Sequence, residues 1–230
     1  MTGSFAASPF GSAPISIAAI SLARKLSERR EAARMGQGEG GNDTGTADKW
    51  RLMTALSTAR PLLGLSDRTI AVLTALVSVL PGRDLKADVE QIVFPSNAEL
   101  SRRTQGMADA TLRRHIAALV DAGLIARRDS PNGKRYARRD DAGKIETAFG
   151  FDLGPLAMRA SEIFALEDEV KAEEAHCRRL RDEISVHIRD ILKILDAALE
   201  EGRAGDWQGF GMALLPLGKR LRRTASLRDL

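Results

Sequence analysis

Cysteine occurs once in these 230 residues, at Cys177, so no intramolecular disulfide framework is available and a reducing compartment fits. Histidine is nearly as scarce: His115, His176 and His187 are the only three, and with one thiol they form no metal-ligand spacing. Neither Gly133-Lys134 nor Gly218-Lys219 has a glycine five residues before its own, which excludes a phosphate-binding P-loop. The lone tyrosine, Tyr136, has no histidine cluster beside it to support nucleophilic chemistry. No catalytic residue, cofactor or metal is therefore expected, and the chain reads as a non-enzyme. Aromatic residues make up only 4% of the sequence, so the core should be aliphatic. The apolar stretch from Ala13 to Leu22 is too short to span a bilayer and no basic residue precedes it, so the expected location is the cytoplasm, away from membranes.

Net charge is also small, +4, but it is unevenly spread. Residues 96–139 hold ten basic side chains against four acidic ones, whereas 157–201 hold seven against twelve. A basic module followed by an acidic one suggests a polyanionic partner for the first. Residues 1–47 read as a flexible N-terminal arm with a glycine-rich linker, because 1–14 and 36–47 have almost nothing to bury. Within it, Ile15 to Met35 has the makings of a short helix, but a poorly ordered arm is the preferred reading. From Lys49 the apolar residues Trp50, Met53, Leu56 and Ala59 recur at helical spacing up to Pro61, which places Trp50 in the core. A second helix follows from Ser66, with Ile70, Leu73, Leu76, Val77 and Leu80 on one face before Pro81-Gly82.

The order of signals after Pro95 is the most informative. Ser96 and Glu99 have the spacing of a capping box, which starts a short helix that ends near Gly106. A second helix, over 109–122, turns Leu112, Ile116, Leu119 and Val120 inward until Gly123 stops it. Leu124 to Arg128 and Lys134 to Arg138 then flank Asp129-Ser130-Pro131-Asn132-Gly133, which reads as a hairpin turn. Helix, turn, helix, hairpin is the order of a winged helix-turn-helix. The fold class expected is thus mainly α, with a winged helix-turn-helix domain over 48–155.

In that arrangement the 109–122 helix fits the major groove of double-stranded DNA. Its candidate base-reading residues are Ala110, Thr111, Arg113, Arg114 and Ala117, with the two arginines making either bidentate guanine contacts or phosphate contacts. The wing, 124–139, would lie on the backbone or in the minor groove. Its candidates are Arg127, Arg128, Lys134, Arg135, Tyr136, Arg138 and Arg139, joined by Ser96, Asn97, Arg102 and Arg103 on the flanking backbone.

Beyond Pro155 nothing breaks a helix before Gly202. Leu156, Ile163, Val170, Cys177, Ile184, Ile191 and Ala198 repeat every seven residues, so 156–201 reads as one long amphipathic helix. It would pack either as a coiled coil in a homodimer or within the chain. Residues 202–230 read as a short basic C-terminal tail.

The runs KWRL (49–52), ARPLLGLSDR (59–68), VFPSNAELS (93–101), ATLRRHIAALVDAGLIARRDSPNGKRYARRD (110–140) and FGFDL (149–153) resemble the N-terminal region of RepC, the replication initiator family of repABC-type bacterial plasmids. The resemblance covers roughly 48–165 and carries nothing onto 1–47. It implies sequence-specific binding to a plasmid origin within the initiator's own coding sequence, followed by recruitment of host replication proteins. Family members continue into a large C-terminal region, so a shortened member that holds the origin without initiating is an alternative. A winged-helix transcriptional repressor needs the same reading helix, and an adaptor acting through the long helix is a third reading.

Overall fold

The computed structural model describes residues 17–35, 46–131, 134–139 and 145–222. The chain is mainly helical and divides into two compact units, Met1–Glu167 and Asp168–Leu230. In the first unit, chain order runs α1 (Ile17–Arg34), β1 (Thr46–Asp48), α2 (Lys49–Ala59), α3 (Asp67–Val79), β2 (Asp84–Lys86) and β3 (Ile92–Val93). It continues through α4 (Asn97–Arg103), α5 (Asp109–Asp121), β4 (Ala126–Arg128), β5 (Tyr136–Arg139), β6 (Ile145–Asp152) and α6 (Gly154–Met158) to the start of α7 (Ala160–Glu200). The second unit contains the rest of α7 and α8 (Trp207–Arg222).

Helices α2 and α3 start where side chains can take up the free amides of a first turn. Asp48 Oδ1 accepts from the Trp50 and Arg51 amides at 2.9 Å each, and Ser66 Oγ accepts from the Thr69 amide at 3.2 Å. Their facing sides meet in an aliphatic core with Leu100 of α4 and with Leu112 and Leu119 of α5; Leu52, Leu56, Leu73 and Leu76 are fully buried in it. Each such leucine contributes about 1.5–3 kcal/mol through the apolar surface it removes from water. Trp50, expected in this core, is instead 42% exposed. The buried neighbour is Lys49, whose Nζ donates to the Leu80 carbonyl at 2.6 Å at the end of α3. An ammonium satisfied by helix-end carbonyls thus takes the inward place, and the indole lies outside it.

β6 organises the sheet. β3, β4 and β5 all pair with it antiparallel, β3 and β4 on its C-terminal end and β5 on 145–149. This corrects the expected hairpin: 124–128 and 134–138 do not pair with one another, and β5 pairs with β6 instead. Residues 132–133, the proposed turn, lie outside the described residues. Tyr136 pairs with Phe149 and packs against its ring at 5.1 Å, an aromatic cross-strand contact that supports this pairing.

The arm is the second correction, because α1 is docked rather than loose. Leu26 is buried, and Arg30 forms a two-pronged ion pair with the buried Asp152 at 2.7 and 2.9 Å. A Cβ on Gly154 would lie 2.5 Å from the Arg30 guanidinium and 3.2 Å from a Leu26 methyl, so α1 packs these two side chains closely against the start of α6.

The long helix is the third. It breaks at Arg159, so Leu156 belongs to α6 and is buried, with Ile163, in the core of the first unit rather than on a coiled-coil seam. In the second unit, Gly202, at φ +64°, ends α7. The expected tail then forms a helix, α8, as far as Arg222; Leu195 and Ala198 are buried while Ile191, Ile194, Phe210, Met212 and Leu215 are exposed. Among the described residues no helix is long and apolar enough to cross a membrane.

Candidate nucleic-acid interface

Two helices and a tight turn form the centre of the candidate surface. α4 begins at Ser96, whose Oγ accepts from the Glu99 amide at 3.1 Å. Only this half of the capping box forms. The Glu99 carboxylate turns to Arg102 and Arg103, at 2.5 Å each, and their hydrogen bonds hold its pKa below the usual carboxylate value. After α4 the chain reverses through Gln105 and Gly106, both in the left-handed region at φ +59° and +86°. The Gly106 amide closes the turn on the Ser101 carbonyl at 2.8 Å.

α5 is then fixed along both flanks and at its end. Leu112, Ile116 and Leu119 face the core, as their spacing predicts. On one flank Asp109 accepts from the Asn97 side-chain amide at 3.3 Å; on the other His115 Nδ1 lies 3.0 Å from the Thr69 hydroxyl on α3. Burial, and after it the charges of Arg114 and Arg68, push the His115 pKa down. At the C-terminal end Arg159 donates to the Ala122 carbonyl and forms an ion pair with Glu162. This clamp takes up a carbonyl that helix ends otherwise leave free.

What α5 presents outward is Ala110, Arg113, Arg114 and Ala117, all exposed, with Thr111 half-buried. Among the described residues neither Arg113 nor Arg114 has a hydrogen-bond or ion-pair partner. Two alanines beside two unengaged guanidinium groups leave a surface with little steric bulk and concentrated positive charge.

The other candidate residues divide. Arg102 and Arg103 are held by Glu99, and Arg103 also donates to Ser78 Oγ at 2.7 Å. Arg128 pairs with Glu90. Arg135 donates to Asn97 Oδ1 and lies 5.1 Å over the Phe151 ring, and burial lowers its pKa. Arg135, Asn97 and Asp109 thereby tie β5 to the first turns of α4 and α5. Tyr136 is engaged by Phe149, while Arg127 is half-buried and Lys134 and Arg138 are exposed. The side chain of Arg139 lies outside the described ones.

One residue at this surface escapes sequence reasoning. Arg68, exposed near the start of α3, lines a cleft of about 540 Å³ with Arg103, Gln105, Gly106 and Thr111. It is an isolated basic residue 45 positions before Arg113, and only the packing of α3 on α5 brings it here.

These features define a mainly helical protein that gathers arginines around an exposed helix following a tight turn. The model of the replication protein C N-terminal domain matches residues 21–199, and the chain belongs to that family, whose role is in plasmid replication. A protein of Sinorhizobium fredii named "Putative replication protein C" is 55% identical over 164 residues, covering 71% of this chain and 41% of that protein. One of the same name from Rhizobium rhizogenes is 44% identical over 221 residues, covering 96% of this chain and 52% of that protein. The chain thus spans about half the length of the curated relatives it matches. No solved structure matches it.

Proposed function

We propose that this chain recognises double-stranded DNA sequence-specifically at a plasmid origin, and that it does so as a winged helix-turn-helix. In this reading α3, α4 and α5 are the three helices, α5 enters the major groove, and the strands β4, β5 and β6 form the wing. The observation that carries it is the exposed face of α5, with Ala110, Arg113, Arg114 and Ala117 uncovered and both arginines without partners among the described residues. Bidentate contact of an arginine with guanine, and contact of a small side chain with a thymine methyl, are the chemistry such a face supplies. Lys134 and Arg138 add phosphate contacts, which supply affinity without sequence choice.

Occupation of the origin then serves initiation by recruiting host replication proteins, and the chain contributes recognition rather than catalysis. Pairing of two copies belongs to the same reading. It would use the C-terminal half of α7, where Ile191 and Ile194 are exposed, since the N-terminal heptad positions are spent on the core of the first unit. Fluorescence anisotropy on fragments tiled through the coding gene, with competitor DNA at several salt concentrations, tests the proposal. One fragment held well above the others is expected. Equal, steeply salt-dependent binding to every fragment would overturn sequence-specific recognition.

A further inference from the structure

Helix α5 has two different flanks. Asp109 and Arg113 lie on the side tied through Asn97 to Arg135 of the wing, whereas Thr111 and His115 lie on the side packed against α3. At about 100° per residue, Thr111 is roughly 200° around the helix from Asp109, so these are opposite borders of the outward face. The wing lies along one border. The cleft of about 540 Å³ between α3 and the α4–α5 turn lies along the other.

Charge in that cleft is not balanced from within. Glu99, the carboxylate nearest to Arg103 in sequence, is already engaged by Arg102 and Arg103. Asp67, the immediate neighbour of Arg68, pairs with Arg60 at 2.5 Å. Arg68 itself is exposed and has no hydrogen-bond or ion-pair partner among the described residues. Thr69, the next residue after Arg68, lies 3.0 Å from His115 Nδ1, and Arg114 precedes His115, so two arginines without ion-pair partners among the described residues stem from adjoining positions on α3 and α5. Like charges gathered without counter-charge repel one another, and an anion laid between them relieves that cost.

The walls fit an extended anionic strand. Ala71, Gly106 and Ala108 give them little bulk, while the Thr111 hydroxyl and the exposed Gln105 amide offer hydrogen bonds. Gln105 holds a left-handed backbone at φ +59°, a conformation that L-residues with a side chain adopt unfavourably. Residues kept in such conformations cluster at functional sites.

We propose that this cleft seats the phosphodiester backbone on the side of the reading helix away from the wing, with Arg68 as its principal cation and Gln105 and Thr111 as hydrogen-bonding partners. The inference rests on the DNA-binding reading above and adds to it a second backbone contact. DNA is then gripped from both borders of α5, and the contact at Arg68 carries affinity and salt dependence rather than base preference.

The test compares wild-type protein with R68A, R68Q, R68K and R114A by anisotropy on the best-held origin fragment and on unrelated duplex, across a salt series. For R68A and R68Q the slope of log K against log salt should shrink by about one unit, with affinity falling by a similar factor on both DNAs. R68K should retain the wild-type slope. R68Q keeps the reach of the side chain, so a loss shared by R68A and R68Q with unchanged melting temperatures is loss of charge and not of packing. Wild-type slopes for R68A and R68Q, in an experiment where R114A is impaired, would overturn the cleft contact and leave the DNA reading standing. Absence of any DNA binding by the wild-type protein would remove that reading and the inference with it.

Discussion

The arginines of α5 and those of the strand segment 126–139 look alike in sequence and have different destinations in the fold. Arg113 and Arg114 end in solvent without partners among the described residues, whereas Arg128 is held by Glu90 and Arg135 is half-buried between Asn97 and the Phe151 ring. A basic run is therefore not a measure of available charge. Arginines with inward partners tie the strands to their surroundings, whereas Arg113 and Arg114 stay exposed and are the pair that the proposed function assigns to DNA.

The strongest test of this division is at the frame's deepest ion pair. Removing one partner of a buried pair leaves an uncompensated charge, so Asp152→Ala should lower unfolding free energy by about 3–5 kcal/mol in urea denaturation, because Arg30 would be stranded against β6. A loss under about 1 kcal/mol would mean that α1 contributes little to the unit and that its docking is superficial. Next in size is a direct exchange between the two classes. Arg135→Ala should cost about 1–3 kcal/mol of stability with the salt slope of binding nearly unchanged. Arg114→Ala should leave stability within about 0.5 kcal/mol while costing about 1–3 kcal/mol of specific binding. Both are read from thermal melts alongside anisotropy, and the reverse pattern would abolish the distinction.

The smallest effect concerns pH. His115 has its pKa pushed below the ordinary imidazole value of about 6.5 in the folded protein, first by burial and then by Arg114 and Arg68. The unfolded chain therefore takes up this proton first on acidification. Stability from the neutral ring should be complete above about pH 6.5 and should fall as pH drops from there through the lower folded value. His115→Gln, followed by melting temperature against pH, should flatten that segment of the profile. An unchanged profile would separate His115 from the border between α3 and α5.

Much of the helical frame was legible because helices are local. The spacing of Leu112, Ile116 and Leu119, the Ser66 cap and the stop at Gly123 all act within a turn or two, and the structure places each of them so. What escaped was long-range or ambiguous. The turn signal in 129–133 is strong locally, but nothing nearby reveals that β5 finds its partner in 145–149. The docking of α1 depends on Arg30 and Asp152, which are 122 residues apart, and its own hydrophobic pattern gives no hint of a destination. Ser96 and Glu99 fit a capping box by spacing, yet two arginines on the same short helix outcompete the backbone amide for the carboxylate. The candidate face of α5 was legible from periodicity, whereas Arg68 reaches the same surface only through tertiary packing.

β6 supplies none of the outward-facing arginines, yet it sets the alignment of the surface that carries them. β3 leads to the start of α4, β4 leaves the end of α5 and β5 leads in from Arg135, and all three take their register from this one strand. A single residue inserted or deleted within 149–152 would move these pairings by about 3.3 Å and turn alternate side chains to the opposite face. Substitution is constrained there too, since a Cβ on Gly150 would lie 2.2 Å from the Val93 carbonyl oxygen and Asp152 holds Arg30, and a change of length by one residue should be far less tolerated than the same change in the surrounding loops. The strand acts as a ruler for the molecule, and tolerance to drift along the chain is set by where that ruler is read.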